Sequence, residues 1–110
     1  MIIRRSQYAN ITCLNVISKP GLLKLAKKHP ETFSILILWH RVAKKASWHG
    51  LREVRRQYSS ADQVGSVLIF DVLGGHYRLI TTVNYSRQKI FVKALLTHKE
   101  YDRKEWMKWV

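Results

Sequence analysis

The apolar positions of the chain fall first at helical spacing and then in alternation. Residues 12–17, Thr-Cys-Leu-Asn-Val-Ile, suit a short strand. Ser18 and Pro20 then supply a helix start, one as a cap and the other inside the first turn. Leu22, Leu23, Leu25 and Ala26 give that helix an apolar side, with Lys24, Lys27 and Lys28 outside it and Pro30 ending it. From about Glu31 to Ala46, the residues Ile35, Leu38, Trp39, Val42 and Ala46 recur at intervals of three and four. That spacing predicts a second helix buried along this stripe. Leu51, Val54 and Tyr58 predict a short third turn, with Arg52, Arg55 and Arg56 on its outer side.

Beyond Gly65 the period changes. Val67 to Leu73, Tyr77 to Tyr85 and Lys89 to Thr97 are rich in Val, Ile, Phe, Tyr and Thr, and the breaks between them are of hairpin length. They predict a three-strand antiparallel meander, with the first strand available to pair at an edge. On the middle strand Arg78, Ile80, Thr82 and Asn84 share a face. On the last strand the more apolar set, Ile90, Val92, Ala94 and Leu96, is expected to face the helices. The order is β-α-α-β-β-β plus a C-terminal turn or helix. The fold class is therefore α+β, with N-terminal helices packed on a small antiparallel sheet and its other face left for function.

Composition narrows the class. At 110 residues and 46% hydrophobic, the chain fits one folded domain. Its longest bulky apolar run, Ile35 to Trp39, falls far short of the roughly 20 residues that span a bilayer. No apolar stretch of signal-peptide length opens the chain, and a single cysteine, Cys13, cannot make an internal disulfide. These features point to the cytoplasm and to no membrane partner. Charge changes the picture most. Twenty Lys and Arg against seven Asp and Glu give +13, an excess that favours a polyanionic partner such as nucleic acid.

The chemistry-bearing residues are few. Five histidines lie at positions 29, 40, 49, 76 and 98 without His-x-x-x-His spacing, so no metal site is expected. Gly74-Gly75 is too short for a phosphate-cradling loop, and no Gly-x-Ser-x-Gly elbow exists. What stands out is Thr97-His98-Lys99-Glu100-Tyr101-Asp102. Thr97 and Glu100 have the spacing of a capping box. His98 and Tyr101 would share one side of the turn so capped. An imidazole moves protons near neutral pH, and a phenol can stack on a base. Arg78, in an otherwise moderately apolar strand, needs either a carboxylate such as Asp71 or Asp102 or a phosphate.

Five stretches in order resemble the HigB toxins, within the wider RelE/ParE-like superfamily of toxin–antitoxin modules. They are NVISKPGLLKLAKKHPE (15–31), LWHRVAKKASWHGLREVRRQY (38–58), SSADQVG (59–65), VLIFDVLGGHYRLITTVNY (67–85) and LLTHKEYDRKEW (95–106). The resemblance covers about Asn15 to Trp106. Residues 1–14 precede the family's usual start and read as an N-terminal extension, ordered or disordered, or as the product of an early start codon; residues 15–110 read as the RelE-like toxin domain. Gly74-Gly75-His76 departs from the family's usual Gly-Asn turn.

The resemblance implies a metal- and cofactor-independent mRNA interferase, acting on mRNA at the ribosome. It also implies inhibition by a helix-turn-helix antitoxin of the HigA type. Under it, His98 is the acid or base, Arg78 the phosphate-stabilising cation and Tyr101 the residue that orients or stacks on a base. Lys93 and Lys99 are lesser phosphate contacts, and Lys44, Lys45, Arg52, Arg55 and Arg56 would hold RNA backbone. Two other functions compete: a non-catalytic basic binding module, and a gyrase-targeting toxin of the same superfamily.

Overall fold

A computed structural model describes residues 13–18 and 21–110. Its elements are β1 (Asn15–Ser18), α1 (Leu22–Lys28), α2 (Phe33–Lys45), α3 (Leu51–Gln57), β2 (Asp62–Val64), β3 (Val67–Val72), β4 (Tyr77–Asn84), β5 (Lys89–Thr97) and α4 (His98–Asp102). A 3-10 turn at Pro30–Thr32 leads into α2, and another at Glu105–Trp109 ends the chain. The class is thus the α+β expected from the sequence, while the order gains a full third helix at Leu51–Gln57 and the short strand β2. No described helix is long and apolar enough to cross a membrane.

The sheet has the order β1-β5-β4-β3-β2. The β3–β4–β5 meander is antiparallel as expected. The edge strand β1, however, runs parallel to β5, pairing Asn15 with Lys89 through Ser18 with Val92, so the sheet is mixed. The crossover is made by the helices, whose length lets the chain return to the far side of the sheet in the same direction. The short β2 extends the other edge against β3. The first helix differs at its start: Ser18 closes β1, and Gly21, at φ 78°, is the N-cap without a side-chain bond. Of the expected N-terminal extension, residues 1–12 lie outside the described residues. Leu14 is buried in the main core and donates its backbone N–H to Ala46 O at 2.9 Å.

The main core lies between the helices and one sheet face. Phe70 sits at its centre, within 5.3 Å of the Trp39 ring, 5.9 Å of Trp48 and 5.3 Å of Tyr58. Of the stripe predicted for helix α2, Trp39 and Ala46 are buried and Val42 packs against the core, but Ile35 and Leu38 are exposed. Leu36 of the same helix is buried as well. Eight of its thirteen residues are apolar, so spacing alone admits more than one face. The face chosen also carries Ala43, fully buried in the main core.

The last strand also departs from simple alternation. Ile80 pairs with Ala94 but Thr81 pairs with Val92, which leaves Lys93 as the extra residue of a β-bulge. Before the bulge, Ile90 and Val92 face the helices; after it, Leu95 does. Ala94 and Leu96, expected on the helix side, are turned to the other face. There they join Val67, Ile69, Ile80 and the C-terminal Trp106 in a second, smaller core. The second face is therefore partly covered by the chain's own C-terminus rather than left wholly free.

Candidate active site

The signature hexapeptide turns where β5 ends. Thr97 accepts from the Glu100 N–H at 3.2 Å, and its own N–H donates to Glu100 Oε1 at 2.8 Å. This is the capping box anticipated from spacing. It forces β5 to become α4 at one residue, so His98, at the first helical position, emerges at the corner of the sheet. The corner is tied to the β3–β4 hairpin through the His98 N–H, which donates to His76 O at 3.2 Å. The His98 side chain stays largely open to solvent, with Asp102 Oδ2 at 3.4 Å from its Nε2 one turn on. The i,i+4 spacing of this pair was present in the sequence, where Asp102 was not assigned to His98.

Arg78 lies directly opposite Asp71 in the β3–β4 register. Its Nε meets Asp71 Oδ1 at 3.0 Å, and only 16% of its side chain is exposed. Its Nη1 donates to Gly75 O and, at 3.5 Å, to Tyr77 O. Nη2 makes none of these bonds. The hairpin loop bends back to allow this: Leu73, Gly74 and Gly75 all have positive φ, and a Cβ on Gly75 would come within 3.3 Å of Arg78 Nη1. Of the two readings open for Arg78, the carboxylate partner is present and is Asp71.

Tyr101 joins the two halves. The Arg78 guanidinium carbon lies 5.0 Å from its ring centroid. The same ring stacks on Trp106 at 5.2 Å and an interplanar angle of 4°. The Trp106 indole N–H returns to Tyr101 O at 3.0 Å, and Trp106 is 5% exposed. Burial raises the Tyr101 pKa above 10.0, and the neighbouring Arg78 offsets only part of that rise. The phenol therefore holds its proton at neutral pH. Trp106 received no role from the sequence, because nothing local marks a tryptophan five residues on as a stacking partner.

Arg78 and Tyr101 thus meet at one corner, and His98 and Lys99 stand exposed at the start of the same short helix α4. Lys93, the bulge residue, sits on the same sheet face with Nζ 5.6 Å from the Phe91 ring centroid. The remaining cations are elsewhere. Lys44 and Lys45 are exposed at the end of α2, and Arg52 and Arg56 are exposed on α3, both helices belonging to the main-core side. Arg55 is engaged locally, its Nε on Ala61 O at 2.8 Å and its Nη2 3.6 Å from Asp62. Among the described residues no cluster of three or more His, Cys, Asp or Glu side chains has the arrangement of a metal site.

The profile of the HigB toxins, described as the RelE-like toxic component of a toxin–antitoxin system, matches residues 34–104. An mRNA interferase HigB of Escherichia coli O6:H1 is 28% identical over 93 residues, covering 82% of this chain and 90% of that protein. The mRNA interferase toxin HigB of Escherichia coli K12 is 24% identical over 92 residues, covering 81% and 88%. An mRNA interferase HigB of Shigella flexneri matches to the same extent.

Proposed function

Because the chain belongs to the HigB toxins, RelE-like toxic components of toxin–antitoxin systems, we propose that it is an mRNA interferase: an endoribonuclease that stops translation by cutting messenger RNA. The observation that carries the reading is the Arg78–Tyr101 contact beside the capped turn that opens with His98, on a strongly basic domain. Its relatives bear the activity in their names.

Cleavage by such a site needs no group beyond the RNA itself and side chains that move protons. The ribose 2′ oxygen attacks the adjacent phosphorus, a 2′-O–P bond forms, and the P–O5′ bond breaks. The products are a 2′,3′-cyclic phosphate and a 5′-hydroxyl. One proton must leave the 2′ oxygen and one must reach the 5′ oxygen. With Nε2 turned to Asp102, His98 offers Nδ1 to take the first. Tyr101, protonated at neutral pH, is suited to give the second. Arg78 Nη2 and Lys99 face the charge that builds on the phosphorane, and Lys93 holds a flanking phosphate. Lys44, Lys45, Arg52, Arg55 and Arg56 contribute backbone contacts outside this corner. The setting is the cytoplasm, with mRNA engaged at the ribosome and an antitoxin of the HigA type as inhibitor.

The Asp71–Arg78 pair favours a second reading for one residue: Arg78 acts by holding the Tyr101 ring, and Lys99 alone meets the phosphate. Induced expression should arrest growth, and primer extension on cellular mRNA should show new 5′ ends. Arrest without cleavage would remove the enzyme reading. The two roles of Arg78 separate on Lys99→Ala, which is severe only if Lys99 is the sole phosphate cation.

A further inference from the structure

Helices α1 and α2 pack their inner sides on the sheet, yet their outer sides are not polar. Leu23 is 58% exposed and Phe33 is 49% exposed. They flank a hollow of about 590 Å³ that is floored by Ala26 and Pro30. On its other side Leu23 borders a second hollow of about 340 Å³, reached by Ile37 and His40 of α2. Phe33, Ile37 and Lys44 follow one another down one side of α2 at helical spacing. The two hollows share Leu23 and make up a largely apolar groove at the α1–α2 seam. An exposed apolar surface of this kind is a mark of an interaction site.

The charges on the two helices have one sign, and Lys27 lines the first hollow. Lys24, Lys27 and Lys28 are exposed on α1 and Lys44 on α2, and neither helix contains an acidic residue. The nearest carboxylate in sequence, Glu31, is bonded to the Tyr77 hydroxyl instead. A second copy of the chain would set lysine against lysine across such a groove. RNA would neutralise the lysines but leave the apolar floor unmatched. A helix with an apolar ridge flanked by carboxylates satisfies both.

We propose that the α1–α2 groove is the docking surface for the antitoxin, through an acidic amphipathic helix. The inference rests on the toxin reading above, which supplies the partner. It also places the contact on the main-core side of the sheet, while His98, Arg78 and Tyr101 border the second core.

The test co-expresses tagged toxin with the antitoxin of the neighbouring gene and reads both rescue of growth and co-purification. Leu23→Glu with Phe33→Glu should lower the antitoxin recovered at least about tenfold, a loss of 1.4 kcal/mol or more, while arrest persists. Both positions are exposed, and far-UV circular dichroism checks the fold. Lys24→Glu with Lys27→Glu should weaken recovery in a manner that disappears at high salt. Met107→Glu, at a comparably exposed residue of the C-terminal turn, should leave recovery unchanged. Undiminished recovery with the groove variant overturns the proposal. So does loss of a toxin homodimer with antitoxin binding intact, which would assign the groove to a second copy. Co-purification decides the docking claim even if the wild-type chain fails to arrest growth, an outcome that would instead remove the toxin reading.

Discussion

Trp106 is the residue on which the second core and the candidate site both depend. Replacing it with Ala removes a side chain that is 5% exposed from a cluster with Val67, Ile69 and Ile80. Truncating a buried tryptophan costs about 3–5 kcal/mol. Within that total, the lost indole N–H bond to Tyr101 O accounts for about 1 kcal/mol, and the parallel stack on the Tyr101 ring for about 0.5–1.5 kcal/mol. Trp106→Phe keeps a stacking ring and most of the apolar area, and gives up the N–H. It should cost about 1–2 kcal/mol, chiefly the bond and a small void. Urea unfolding followed by far-UV circular dichroism measures both, and avoids the change in tryptophan fluorescence that either substitution brings. If Trp106→Ala costs under about 1 kcal/mol, the C-terminal turn is a loose cover and the second cluster is no core. If Phe costs as much as Ala, the hydrogen bond and not the packing holds the turn.

Three further outcomes follow from the same contacts. Thr97→Ala removes the cap between β5 and α4 and should cost about 1 kcal/mol, with Thr97→Ser nearly neutral, by the same denaturation assay. Glu31 is held below its ordinary pKa of 4.5 by the Tyr77 hydroxyl. A depressed carboxylate pKa contributes stability above the unfolded value that is lost as pH falls through the folded one. The stability gap between wild type and Tyr77→Phe should therefore be present at neutral pH and close as pH drops below 4.5, and a gap that persists in acid would point to ring packing instead. Lys44→Ala with Lys45→Ala should reduce the salt slope of single-stranded RNA binding by about 1.4, the product of two contacts and about 0.7 each; an unchanged slope would exclude them from the RNA contact.

Features decided within a few residues were legible in the sequence. The capping box needs only Thr97 and Glu100, and both bonds form. The Asp71–Arg78 pair follows from a short hairpin, whose turn fixes the register and sets the two opposite each other. The meander was readable from its β-branched alternation. What failed was decided at long range. The parallel pairing of β1 with β5 joins residues 15–18 to 89–92, across every helix of the front half. The buried stripe of α2 was ambiguous because apolar residues surround it. The bulge at Lys93 inverts the faces of Ala94 and Leu96, and no local residue type announced it. The stack of Trp106 on Tyr101 depends on the C-terminal turn folding back over the sheet, which put the candidate phenol against a wall rather than in the open.

The role proposed for His98 is proton transfer as this corner cuts RNA. Its most direct measurement is the single-turnover rate at which folded wild type and folded His98→Ala cleave an mRNA oligonucleotide. Loss of a positioned acid or base predicts a rate about 10²–10⁴-fold lower for the variant, with wild-type products ending in 2′,3′-cyclic phosphate and 5′-hydroxyl. A variant that cleaves within about threefold of wild type, well short of that range, would contradict the assignment.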